Sequence, residues 1–122
     1  MKGKLIAIVV ILLIIAGTIL LVKSPGKPGK LDSFASCVKD SGAIFYGAFW
    51  CPHCRDQKAL FGKSIKNLTY VECSTPDSNG TMQVCVDKNI KKYPTWDFKD
   101  GSRVEKVLSL EELAQMTSCT LP

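Results

Sequence analysis

Cys51 and Cys54 are separated by two residues in Trp50-Cys51-Pro52-His53-Cys54, a spacing that suits reversible disulfide chemistry. Pro52 stands where the first residue of a helix is often proline, which places Cys51 at a helix N-terminus. Free backbone N–H groups and the macrodipole there favour a thiolate. One turn brings the second sulfur back to the first, and His53 adds a donor or a positive charge beside the pair. A lower thiolate energy favours the reduced form, so the oxidised pair becomes a better oxidant. Two other chemistries use the same spacing. A Cys-x-x-Cys is half of many zinc sites, but there is no second such pair, and His53 is the only histidine. A metal would have to recruit Cys73 or Cys85. A purely structural disulfide is the plainest alternative.

These residues need elements to hold them. Ala43–Phe49 is a short, almost wholly apolar run that suits a strand buried on both faces. It would deliver Cys51 to a helix running from Pro52 through Leu60 towards Ile65. Before it, Leu31, Phe34, Ala35 and Val38 have helical spacing, closed by Ser41-Gly42. After it, Leu68–Cys73 alternates as a second strand, and Ser74–Gly80 is a loop by composition. Met82, Val84, Val86 and Ile90 are expected to line a short helix. Thr95–Lys99 and Arg103–Val107 are expected as strands joined through Asp100-Gly101, a hairpin signal. Ser109-Leu110-Glu111-Glu112 is a capping box that opens a last helix through Met116.

Leu5–Val22 passes eighteen residues without a charge. As a helix at ~1.5 Å per residue it is roughly 27 Å long, close to the ~30 Å hydrocarbon core. A cleavable signal has a shorter apolar centre of about 7–15 residues and a small-x-small site. Here Val22-Lys23-Ser24-Pro25 follows instead, which favours an uncleaved anchor over a signal or a buried helix. The expected division is an anchor over 1–23, a flexible linker over 24–30 rich in Pro, Gly and Lys, and a domain over 31–122. Five of the sixteen basic residues lie in 1–30, so the domain has eleven against eleven acidic ones. That balance leaves no nucleic-acid footprint. All six cysteines fall beyond the linker. Positive charges flank the anchor similarly on both sides, so the cysteines carry the orientation: N-terminus in the cytoplasm, domain in an oxidising compartment outside the cytoplasmic membrane.

The run Tyr46–Cys54, with Tyr93-Pro94-Thr95-Trp96 some forty residues later, resembles the thioredoxin superfamily over roughly Leu31–Cys119. More narrowly, Gly47–Cys54, Asp56-Gln57-Lys58, Leu60-Phe61-Gly62, Tyr70-Val71-Glu72-Cys73 and Tyr93–Trp96 resemble the thioredoxin-like domain fused to bacterial homologues of vitamin K epoxide reductase. Cys-Pro-His-Cys itself matches the DsbA-type disulfide oxidases. The resemblance implies an α/β fold, with a central mixed sheet of about four strands flanked by helices. It implies thiol–disulfide exchange by Cys51 and Cys54 aided by His53, with no cofactor beyond that redox-active disulfide and no metal. Trp50, Pro52, Tyr93, Pro94 and Thr95 would form the substrate surface. Pro94 would be cis and face the pair, leaving the Tyr93 backbone to pair with an extended substrate.

In that superfamily a buried acid lies six residues before the first active cysteine; here the position is Phe45. Glu72 is the candidate substitute as a proton relay. Cysteines at similar places in the fused family imply a structural Cys73–Cys85 bridge, with an electron-relaying pair as the alternative. Cys37 and Cys119 then remain; arithmetic allows them to join the first helix to the C-terminal tail, but the fold does not require those segments to meet, so their pairing stays open. The sequons at Asn67 and Asn79 are read as chance unless the host glycosylates exported proteins. The expected function is oxidation of protein thiols in exported chains, with re-oxidation by a quinone-linked membrane partner, a separately encoded vitamin K epoxide reductase homologue. A membrane-tethered disulfide reductase and a non-catalytic metal-binding module are the rivals.

Overall fold

The computed structural model describes residues 1–22 and 27–122, with the backbone alone described at 20–22. Helix α1 runs over Lys2–Val22. Its apolar side chains from Leu5 to Ile19 are exposed on every side. A helix without a polar face has no surface to turn to water. Its 21 residues reach roughly 32 Å at ~1.5 Å each. The helix is long and apolar enough to cross a membrane. Lys23 and residues 24–26 of the expected linker lie outside the described residues. The other end of that segment already packs on the domain. Gly29 N–H donates to Asp32 Oδ2 at 2.9 Å, and Leu31 N–H donates to Ser64 Oγ at 3.1 Å. A side chain at 29 would run into Ser64, so this glycine is a point of close approach.

The domain is a mixed sheet with helices on its faces. Strand β1 is Ile44–Gly47, β2 is Tyr70–Glu72, β3 is Thr95–Asp97 and β4 is Arg103–Val104. They lie in the order β2-β1-β3-β4. β1 runs parallel to β2, with Phe45 beside Tyr70 and Gly47 beside Glu72, and antiparallel to β3. Alternation along β1 divides the core. Phe45 faces the larger cluster, with Phe34, Val38, Phe61, Trp96, Leu108 and Leu113. Tyr46 faces the smaller one, with Cys73, Cys85 and Ile90.

Helix α2 (Asp32–Asp40) buries Phe34, Ala35 and Val38. Helix α3 covers Pro52–Phe61, α4 Gln83–Asp87 and α5 Leu110–Thr117. α5 carries the expected capping box: Ser109 Oγ accepts from Glu112 N–H, and the Glu112 carboxylate accepts from Ser109 N–H.

Two disulfides tie the periphery down. Cys73–Cys85 closes a 12-residue separation and Cys37–Cys119 an 82-residue one, joining α2 to the C-terminal segment. On the loop-entropy model these contribute about 3 and about 4.5 kcal/mol.

Several elements are shorter than the sequence pattern predicts, for local reasons. β1 stops at Gly47 because the chain turns, with Cys51 N–H donating to Ala48 O at 3.0 Å. α3 stops at Phe61 because Gly62 takes a positive φ of 53°. The chain then continues as a 3-10 turn over Gly62–Asn67. The second hairpin strand is only two residues long. Its turn forms as expected, with Gly101 at φ 85° and Asp100 Oδ1 accepting from Ser102 N–H at 2.9 Å. α4 corrects the expected apolar lining: Met82, Val84 and Val86 point outward, and only Cys85 and Ile90 are buried. The bond to Cys73 fixes which side of this short helix faces in, and neighbours one residue away then face out.

Candidate active site

β1 ends one short turn before Cys51, so the buried strand aims the chain at the sheet edge and α3 begins there. Cys51 is the N-cap of α3, with extended backbone, and Pro52 is the first helical residue, which needs no N–H partner. Cys51 Sγ accepts from Cys54 N–H at 3.3 Å, using one of the donors a helix start leaves over. Both cysteines are free thiols, so this is the dithiol state. Cys51 keeps 5% of its surface exposed and Cys54 none. Burial, followed by the hydrogen bond to Cys51, pushes the Cys54 thiol up to about 12. The Ala48 backbone and the Lys58 charge pull the other way without winning. The two residues therefore differ: Cys51 is nearly buried with a narrow opening to solvent, and Cys54 is fully enclosed and protonated at neutral pH.

Around Cys51 lie most of the residues picked out from the sequence. Its thiol donates to Tyr93 O at 3.8 Å, and the Tyr93–Pro94 peptide is cis. Trp50 is half-exposed; its Nε1–H donates to Ser74 Oγ at 2.8 Å, and its ring meets Tyr93 edge-on at 6.0 Å. Pro52 is exposed. A surface cavity of about 420 Å³ beside the pair is lined by His53, Tyr93, Pro94 and the segment after β4.

Two residues sit differently from expectation. His53 is exposed to solvent, with Nδ1 3.8 Å from Asp56 Oδ2; no hydrogen bond joins it to Cys51 among the described residues. Thr95 is fully buried and its hydroxyl donates to Lys92 O at 2.7 Å. Its side chain braces the turn before β3 instead of lining a substrate surface.

Glu72 ends β2 beside Gly47. Its Oε1 accepts from Phe49 N–H at 3.1 Å and Ser74 N–H at 3.0 Å, and its Oε2 accepts from the Tyr70 hydroxyl at 2.7 Å. Phe45 fills the buried position opposite, stacked on Trp96 with centroids 5.0 Å apart and edge-on to Tyr70 at 5.0 Å. With Cys37, Cys73, Cys85 and Cys119 all bonded, no cluster of three or more metal-ligating side chains exists among the described residues.

Three residues that hold this site were not singled out for it from the sequence. Gln57 is fully buried on α3. Its Oε1 accepts from Trp96 Nε1–H at 3.1 Å and Leu108 N–H at 2.7 Å, while its Nε2 donates to Leu108 O at 3.0 Å. The spacing Cys54, Gln57, Phe61 is that of one helix face, and that pattern was the available signal. Tyr70 and Gly47 had no such signal, because strand pairing alone brings them to the buried cysteine.

No protein-family model matches the chain. It is 44% identical over 98 residues to the thiol-disulfide oxidoreductase LTO1 of Arabidopsis thaliana, a match covering 73% of this chain and 24% of that protein. The chain thus spans about a quarter of the length of the curated relative it matches. Among solved structures, a malarial protein aligns with TM-score 0.46 at 18% identity, covering 62% of this chain and 91% of its own. The oxidised thioredoxin of Plasmodium falciparum aligns with TM-score 0.36 at 22% identity, covering 70% and 86%. Mitochondrial thioredoxin 3 of Saccharomyces cerevisiae aligns with TM-score 0.36 at 21% identity, covering 73% and 87%. The sheet order β2-β1-β3-β4, with one parallel and two antiparallel pairings and the Cys-x-x-Cys at the first turn of the helix after β1, makes this a thioredoxin-like domain.

Proposed function

We propose that the chain is a membrane-anchored thiol–disulfide oxidoreductase that oxidises thiols of exported proteins through Cys51 and Cys54. The observation that carries this reading is the asymmetry of the pair: Cys51, the helix N-cap, keeps a small opening to solvent, and Cys54 keeps none. In the oxidised state a substrate thiolate attacks Cys51 Sγ. The Cys51–Cys54 bond breaks, and its electron pair leaves on Cys54 Sγ, which takes a proton. A second substrate thiolate then attacks the substrate sulfur of the mixed disulfide and releases Cys51. The substrate gains one disulfide and the domain holds the two electrons as its dithiol. Similarity to a named thiol-disulfide oxidoreductase supports the chemistry. Trp50, Pro52, Tyr93 and Pro94 around Cys51 are the proposed substrate surface.

The oxidising compartment is supported by the other four cysteines. Both of their pairs are bonded, as suits a compartment in which disulfides persist. Re-oxidation is assigned to a quinone-linked membrane protein, a vitamin K epoxide reductase homologue, with α1 keeping the domain close to it.

The reduction potential of Cys51–Cys54 decides between oxidase and reductase. A value near the roughly −120 mV of strong disulfide oxidants supports this reading, and one near the roughly −270 mV of thioredoxin assigns the reverse flow. Cys54→Ala in the native membrane should accumulate mixed disulfides at Cys51 with exported substrates. Recovery of no protein adduct under oxidising conditions would sink the proposal.

A further inference from the structure

Cys54 has to gain a proton each time the disulfide opens and lose it each time the disulfide forms, yet no part of it reaches solvent. The buried position that holds an acid in the resembled superfamily is Phe45, which offers no proton acceptor. The sheet supplies one from the neighbouring strand. Gly47 and Glu72 are paired in register, as are Phe45 and Tyr70. The four side-chain positions therefore share one face, under the first turn of α3.

Gly47 marks where the route passes. A Cβ on Gly47 would lie 2.9 Å from Cys54 Sγ and 3.3 Å from the Tyr70 hydroxyl. The sulfur and the phenol thus flank the same small space, which only glycine leaves open. The Tyr70 hydroxyl already donates to Glu72 Oε2 at 2.7 Å. Glu72 is partly exposed, so its carboxylate exchanges protons with water. Lys58 Nζ sits 3.7 Å over the Tyr70 ring, fixing the ring by a cation–π contact.

We propose that Tyr70 and Glu72 form the proton port of Cys54, with the Tyr70 hydroxyl as shuttle and the Glu72 carboxylate as terminal base and acid. This rests on the exchange chemistry proposed above. When Cys54 attacks a mixed disulfide at Cys51, its S–H proton passes to the Tyr70 oxygen through one water beside Gly47, since no hydrogen bond among the described residues joins Cys54 to Tyr70 directly. The hydroxyl proton passes to Glu72. Tyr70 ends neutral, Glu72 ends as the acid, and the Cys54 thiolate forms the S–S bond as the leaving thiolate departs. When a substrate opens the disulfide, the same two protons move the other way. Burial and the bond to Glu72 push the Tyr70 phenol well above its ordinary range, which keeps the shuttle protonated between transfers. The charged and titratable groups facing Cys54 are Cys51 and Lys58 from α3 and Tyr70 from β2, with Glu72 behind Tyr70.

The test uses the full chain in detergent with glutathione joined to Cys51, and follows release of glutathione by Cys54 as a function of pH. Glu72→Gln keeps an Oε1 for the Phe49 and Ser74 amides and removes the base, putting an NH2 where Oε2 accepts from the Tyr70 hydroxyl. Tyr70→Phe keeps the ring against Phe45 and under Lys58 and removes only the shuttle. Each should slow release about tenfold to a hundredfold near neutral pH, the lower range of general acid–base effects. The deficit should shrink as pH rises and hydroxide takes the proton directly, while alkylation of Cys51 stays unchanged. If either variant loses the fold, the other decides. Wild-type rates and an unshifted pH profile in the folded variant would overturn the port. A wild-type chain that never releases glutathione would instead overturn the exchange reading beneath it.

Discussion

Cys51 and Cys54 are three residues apart in the chain and very different in environment. The difference arises because the helix N-cap keeps a narrow opening to solvent while the residue one turn on points back under the sheet edge. Cys54 is enclosed by Gly47, Tyr70 and the first turn of α3, and its thiol is raised from 9.0 to about 12. That shift has a thermodynamic consequence. Between those two values the unfolded chain has lost the Cys54 proton and the folded domain still holds it. Unfolding then releases a proton, and the reduced domain loses stability as pH rises through this window. Below it both states are protonated and the effect vanishes. Urea midpoints of the reduced wild type should therefore fall more steeply above pH 9 than those of a Cys54→Ala variant, in which Tyr70 and the lysines still titrate. Parallel curves would show that Cys54 ionises as readily in the folded domain as in the unfolded chain.

At the scale of elements, α3 is held by one polar side chain. Gln57 binds both the Trp96 indole and the Leu108 backbone, so it ties α3 to β3 and to the segment leading into α5. Gln57→Leu fits the volume but leaves two donors and one acceptor buried without partners. It should cost roughly 2–4 kcal/mol in denaturant unfolding and loosen the placement of Cys54; a loss within error would mean that the neighbouring backbone re-pairs. Gln57 also shows what sequence patterns carry and what they miss. The strand before Cys51, the proline-started helix, the Asp100-Gly101 turn and the Ser109–Glu112 cap were legible because each depends on a local rule. Gln57 had a local signal, its place on the Cys54–Phe61 face, but its partners are set by packing across 39 and 51 residues. Tyr70 and Glu72 reach Cys54 only through strand register. The outward face of α4 follows from a disulfide.

For the whole molecule, a helix that is uncharged from Leu5 onward precedes a domain whose formal charge is balanced. The proposed arrangement is N-terminus inside and domain outside the cytoplasmic membrane. A glutathione-rich cytoplasm would oppose the Cys73–Cys85 and Cys37–Cys119 bonds and hold Cys51–Cys54 reduced. The fold suggests a clean way to read the side. Residues from Gly29 onward pack on the domain and are tied by two disulfides, whereas Lys27 is exposed just ahead of them. A broad-specificity protease added outside intact spheroplasts should cut first in the segment just ahead of Gly29, where Lys27 and Pro28 are exposed. It should release a soluble, redox-active domain and leave α1 in the membrane. If the domain stays membrane-bound and uncut until the spheroplasts are lysed, both the orientation and the oxidation of exported proteins fail together. If a soluble product with its N-terminus in 23–30 is present before protease is added, α1 is a removed signal. The thiol chemistry then stands, and the tether to a membrane partner does not.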